Sequence, residues 1–109
     1  MANKKYLFVC AEGKSRSPTA RRVGHEIATE TGRVIDMFYG AARGGKIDSV
    51  TERHLNQYKK IFVMELWMAS RIRQMGYKRE LHCLNIPDRY SEMDPELIDI
   101  LRNKLEKLL

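Results

Sequence analysis

Hydrophobic positions along the chain switch repeatedly between two periods. Residues 6–10, YLFVC, form an unbroken apolar run of β-formers, the pattern of a strand buried on both sheet faces. From Pro18 the apolar positions are Ala20, Val23, Ile27 and Ala28, a period of about 3.6 that predicts a helix. Ser17 reads as its cap, Pro18 as its first residue and Gly32 as its stop. Residues 34–41 predict a second strand, followed by a basic, Gly-rich loop, Arg43-Gly44-Gly45-Lys46. Ser49-x-x-Glu52 has capping-box spacing and predicts a short helix ending near Tyr58.

Residues 61–64 repeat the buried-strand pattern, and Leu66, Ala69, Ile72 and Met75 then share a helical face closed by Gly76. Trp67, Met64, Met68 and Met75 are expected as packing around that helix. Residues 80–86 predict a fourth strand, containing Cys83 and stopped by Pro87. Asp94-Pro95-Glu96 then combines a cap, a first-turn proline and an acid at the positive end of the dipole. The helix it starts carries Leu97, Leu101, Leu105 and Leu108 on one face.

Strand and helix alternate throughout, which predicts an α/β fold: a three-layer sandwich with a central four-stranded parallel sheet between helices. The 109 residues form one expected domain, 1–109, without repeats or a linker. In such folds ligands sit beyond the C-terminal strand ends, here the turns after Cys10, Ala41, Met64 and Ile86. Composition narrows the setting. With 43% hydrophobic and 31% charged residues this is an ordinary globular profile, and no apolar run is long enough to span a bilayer. The apolar stretch near the N-terminus is too short for a signal peptide, and two cysteines suit a reducing compartment, so a cytoplasmic location is expected. A net charge of +6 favours anionic partners, nucleic acid among them.

The segment CAEGKSRSP joins the first strand to the first helix and contains Gly13-Lys14-Ser15, the end of a nucleotide-binding loop. That loop needs a glycine five residues before Gly13, where this chain has Phe8 inside the strand, so the nucleotide reading fails. The alternative is a C-x5-R-S pattern from Cys10 to Ser17. The thiol lies at the tip of a buried strand, just before a helix N-terminus whose dipole and amides favour an anion. Arg16 can grip two phosphate oxygens with its planar guanidinium, and the same positive field stabilises a Cys10 thiolate. Ser17 is positioned to donate a hydrogen bond to that sulfur. Gly13 suits a loop that turns its amides inward, so Ala11, Glu12, Gly13, Lys14, Ser15, Arg16 and Ser17 form the expected phosphate cradle. A phosphate held against a thiolate means transfer through a phosphocysteine.

VCAEGKSRSPTA resembles the active-site loop of the low-molecular-weight protein tyrosine phosphatases, V-C-x5-R-S-P near the N-terminus. KKIFVMELWMASRI resembles that superfamily's third strand and following helix, and IPDRYSEMDPEL the C-terminal signature of its short, predicted bacterial branch. The resemblance implies that fold, a cysteine-dependent phosphatase without cofactor, and a monomer acting on a phosphorylated protein or small phosphorylated compound. It also implies that Ser15 stands where many relatives keep a second cysteine.

The mechanism further needs an acid at the same sheet edge. Asp88, directly after Pro87, meets that demand, and in the resembled superfamily the acid stands here in a D-P-Y context. Asp94 is the rival, but its Pro95-Glu96 sequel makes it a helix cap first. Tyr90 is a candidate wall for the leaving group, and Arg43 a candidate rim residue. Lys14 at the rim and no tryptophan in the loop after the second strand open the alternative of a more anionic substrate than phosphotyrosine. His25, His54 and His82 have no ligand spacing, so no metal is expected. Two other functions remain open: a phosphate- or RNA-binding module without turnover, and an arsenate reductase. The reductase would need resolving cysteines, for which Cys83 in a strand is poorly placed.

Overall fold

In the computed structural model, which describes residues 4–11, 15–43, 46–47 and 55–109, strand and helix alternate as the periodicity requires. The elements are β1 (Lys4–Cys10), α1 (Arg16–Glu30), β2 (Ile35–Arg43), β3 (Lys46–Ile47), β4 (Lys60–Val63), α2 (Leu66–Gln74), β5 (Glu80–Cys83) and α3 (Pro95–Leu108). The sheet order is β3-β2-β1-β4-β5, and β2, β1, β4 and β5 are mutually parallel. That is the expected four-stranded parallel sheet, with β3 added antiparallel at one edge. α3 packs on α1, while α2 packs on β4 and β5, and the right-handed rule for parallel crossovers puts α1 and α2 on opposite faces of the sheet.

β1 sits at the centre because it is the most continuously apolar strand, with Tyr6, Leu7, Phe8, Val9 and Cys10 all buried. Its neighbours β2 and β4 lead away in opposite directions, so the switch in strand order falls beside the Cys10 tip. Phe8 stacks on Phe62 at 5.0 Å between ring centroids, in the layer under α1. Gly24 lets that helix approach closely, since a Cβ there would stand 2.8 Å from the Met37 sulfur. No helix among the described residues is long and apolar enough to cross a membrane.

Several local expectations shift. Ser17 is not the cap of α1: the helix starts at Arg16, Ser15 takes the cap position without a side-chain hydrogen bond, and the Ser17 hydroxyl points to Cys10 instead. Gly32 does end that helix, with φ +69°. The second strand runs on to Arg43, because Ala42 and Arg43 pair with Ile47 and Lys46 where a loop was expected. The helix expected over residues 49–58 falls largely outside the described residues. On α2 the buried face is Met68 and Ile72, with Ala69 and Met75 partly covered, while Leu66 and Trp67 are exposed. The fourth strand ends at Cys83 because Asn85 adopts φ 53°, although Leu84 and Ile86 still donate to β4-side carbonyls. Asp94 caps α3 as expected, its carboxylate accepting from the Glu96 amide at 2.9 Å.

Between α2 and β5, Tyr77 anchors the connection from inside the core. Its hydroxyl lies 3.0 Å from the carbonyls of both Tyr58 and Glu80. Burial pushes its phenol up from 10.0 to about 12. A raised folded-state value means stability that is whole below the unfolded value and lost as pH rises through the folded one. Tyr77→Phe is therefore expected to cost about 1 kcal/mol at neutral pH. Urea titrations at a series of pH values should show the gap to wild type closing between pH 10 and about 12.

Candidate active site

The chemistry gathers at the C-terminal tips of β1, β4 and β5 and at the start of α1. Cys10 ends β1 with its side chain toward α1, and its Sγ lies 3.0 Å from the Ser17 Oγ. Ser17 Oγ in turn lies 3.4 Å from the Gly40 carbonyl in β2, so one hydroxyl bridges the sulfur and the neighbouring strand. With one proton to give, that hydroxyl donates to the sulfur whenever the thiol is ionised. Ala11 packs partly buried beside it. Glu12, Gly13 and Lys14 lie outside the described residues.

Arg16 occupies the first position of α1 and is only 1% exposed. Its Nη1 donates to the Ile86 carbonyl at 2.7 Å, its Nη2 stands 2.8 Å from Glu65 Oε2, and its Nε stands 3.6 Å from Asp88 Oδ1. The two carboxylate approaches are charge contacts and not aligned hydrogen bonds. Among the described residues Nε and Nη2 remain buried without a hydrogen-bond partner. Two adjacent, unsatisfied N–H groups on a buried guanidinium form the edge that a bidentate oxyanion would satisfy.

Asp88 and Arg16, far apart in the chain, are brought together at this sheet edge. Asp88 keeps its side chain 58% exposed. Asp94, by contrast, is engaged in capping α3. Tyr90 is 7% exposed, and the Arg89 guanidinium covers its ring at 4.9 Å and bonds its hydroxyl at 2.9 Å. Arg43 closes β2 opposite Lys46. Arg21 ties α1 to β2 through the Met37 carbonyl at 2.9 Å, while Arg22 faces solvent beside Glu26. Met93 donates its amide to Thr19 at 3.0 Å, fastening the segment after Asp88 to α1.

Glu65 is the residue that sequence reasoning missed. The available signal was its position: an acid directly after the apolar run 61–64, at the sheet end where ligands bind. Cys83 lies on β5, with β4 between it and β1, and its Sγ contacts Asn85 Oδ1 at 3.3 Å. Two strand spacings of about 4.8 Å each exceed the reach of a disulfide to Cys10. The arrangement thus offers a thiol, an oxyanion-seeking guanidinium and an exposed carboxylate around one strand tip.

No protein-family profile matches the chain, and no curated protein matches it in sequence. Solved structures do match it in fold. YfkJ from Bacillus subtilis superposes with a TM-score of 0.71 at 20% identity, covering 99% of this chain and 93% of its own. Wzb from Vibrio vulnificus, in complex with benzylphosphonate, gives 0.73 at 15% identity over 98% and 97%. SP-PTP from Streptococcus pyogenes, a low molecular weight protein tyrosine phosphatase, gives 0.72 at 19% identity over 97% and 91%. Over nearly its whole length, the chain has the fold of the low-molecular-weight protein tyrosine phosphatases.

Proposed function

We propose that the protein is a cysteine-dependent phosphatase, protein tyrosine phosphatase-like, that hydrolyses phosphomonoesters through a phosphocysteine on Cys10. The observation that carries this reading is the buried Arg16 edge, with Nε and Nη2 lacking hydrogen-bond partners among the described residues, on the helix that follows Cys10. A stable fold tolerates such a group where a ligand completes it. The shared fold with Wzb, in complex with benzylphosphonate, supports the same oxyanion chemistry.

In the first step the Cys10 thiolate attacks phosphorus, and the Ser17 hydroxyl, 3.0 Å from the sulfur, stabilises the negative charge before attack. The sulfur–phosphorus bond forms as the bond from phosphorus to the leaving oxygen breaks. Arg16 holds two equatorial oxygens through the transition state, and Asp88 gives its proton to the departing oxygen. In the second step Asp88, now a carboxylate, takes a proton from water. The resulting attack on phosphorus releases phosphate and restores the thiolate.

Leaving-group dependence tests this assignment. Asp88→Asn is expected to lower kcat/KM, which reports the leaving-group step alone, by about 10²-fold for phenyl phosphate. The loss should be much smaller for p-nitrophenyl phosphate, whose phenolate departs without a proton. Equal losses on both substrates would remove Asp88 from the acid role. Tight phosphate binding without hydrolysis of either ester would point to a binding module.

A further inference from the structure

Trp67 is the single tryptophan of the chain, and its place is unusual for so large an apolar side chain. It is 41% exposed, and Leu66 before it is 69% exposed, in the first turn of α2. Both present apolar surface to solvent on one turn, and their position bears on what that surface can contact. α2 starts two residues after β4, at the ligand-bearing end of the sheet, beside the guanidinium of Arg16.

One carboxylate makes the connection. Glu65 holds the N-cap position of α2 in an extended conformation but makes no capping hydrogen bond to that helix. Its two oxygens are used elsewhere: Oε2 stands 2.8 Å from Arg16 Nη2, and Oε1 accepts from the Trp67 indole N–H at 3.2 Å. The cap hydrogen bond is worth about 1 kcal/mol to a helix, so an acid that forgoes it is positioned for another task. Here it fixes an indole plane one carboxylate away from the phosphate-seeking edge of Arg16. Tyr90, the aromatic on the Asp88 side, is buried beneath Arg89 and presents no comparable face.

We propose that Trp67 is a specificity-determining residue: its exposed indole, oriented by Glu65, forms the wall against which an aromatic group attached to the phosphate stacks. The substrate class this selects is aryl phosphomonoesters over small hydrophilic ones. The inference rests on the phosphatase reading for substrates, but the wall itself is readable by ligand binding alone.

The test compares wild type, Trp67→Ala and Trp67→Phe on 2-naphthyl phosphate and on acetyl phosphate, an acyl phosphate with no aromatic surface. Trp67→Ala should lower kcat/KM for the naphthyl ester about 3- to 10-fold, the range of an aromatic pair, mainly through KM. Acetyl phosphate should change less than twofold, and Trp67→Phe should recover most of the loss. A parallel loss on both substrates, or none on the naphthyl ester, overturns the proposal. Calorimetric titration with benzylphosphonate and methylphosphonate gives the second readout, since the two share charge and differ in the ring. Wild type should prefer benzylphosphonate, with a change in the fluorescence of its sole tryptophan, and Trp67→Ala should lose the preference. If wild type hydrolyses neither substrate the phosphatase reading fails, and the phosphonate preference then decides the wall. A preference unchanged in Trp67→Ala overturns it.

Discussion

Cys10→Ser should abolish phosphoester hydrolysis, lowering kcat by about 10⁴-fold or more, the scale lost when a covalent nucleophile is removed. The change replaces one atom at a buried strand tip, so the sheet and the contact with Ser17 should survive. What disappears is the thiolate: a serine hydroxyl stays protonated near neutral pH and is a far weaker nucleophile. Phosphate binding should persist, because Arg16 and the helix start are untouched. Thermal unfolding with and without added phosphate should therefore show the same ligand-induced rise in Tm for the variant and wild type. Hydrolysis surviving in Cys10→Ser, measured against an enzyme-free blank, would refute the phosphocysteine mechanism.

Arg16→Lys should separate function from stability. Lysine keeps the positive charge but loses the planar fork that matches two phosphate oxygens, so kcat/KM should fall by about 10²- to 10³-fold. The Tm rise with phosphate should shrink in step, since a weaker ligand stabilises less by mass action. Without phosphate the balance reverses. Wild type holds two buried guanidinium nitrogens lacking hydrogen-bond partners among the described residues, an arrangement that costs stability. Lysine removes those two groups and leaves an ammonium able to approach Ile86 and Glu65. The ligand-free variant is expected to unfold at or above the wild-type Tm, a trade of stability for function concentrated at one side chain. A variant that binds phosphate as well as wild type would contradict the role given to Arg16.

Glu65 and Trp67 extend that trade beyond Arg16. A buried guanidinium short of hydrogen-bond partners among the described residues and the exposed apolar surface near it are the features on which the proposed aryl phosphate specificity rests. Asp88 approaches the same guanidinium, 3.6 Å from Nε, so the proposed acid and the proposed oxyanion clamp share one cation.

Features that depend on near neighbours along the chain were legible from the residues alone. An unbroken apolar run specified β1 as a buried central strand, and the 3.6-residue period specified the buried face of α1, because backbone geometry turns spacing into facing. Asp94-Pro95-Glu96 specified the start of α3, since a cap is satisfied within its own turn. Cys10 and Arg16 were legible for the same reason, as six residues hold both within one strand-loop-helix turn.

Tertiary structure decided whatever depends on which strand lies beside which. Ser17 could cap a helix or serve a sulfur, and only the packing of α1 against β1 and β2 turned its hydroxyl to Cys10 and Gly40. Leu66 fits the apolar period of its helix, yet the sheet covers Met68 and Ile72 and leaves Leu66 and Trp67 at the edge. Arg16 meets Glu65 and the Ile86 carbonyl only because β4, and beyond it β5, are added on the same side of β1. Local periodicity encodes which face of an element is buried. It carries no distance between residues separated by half the chain, and the environment of Arg16 is built from those distances.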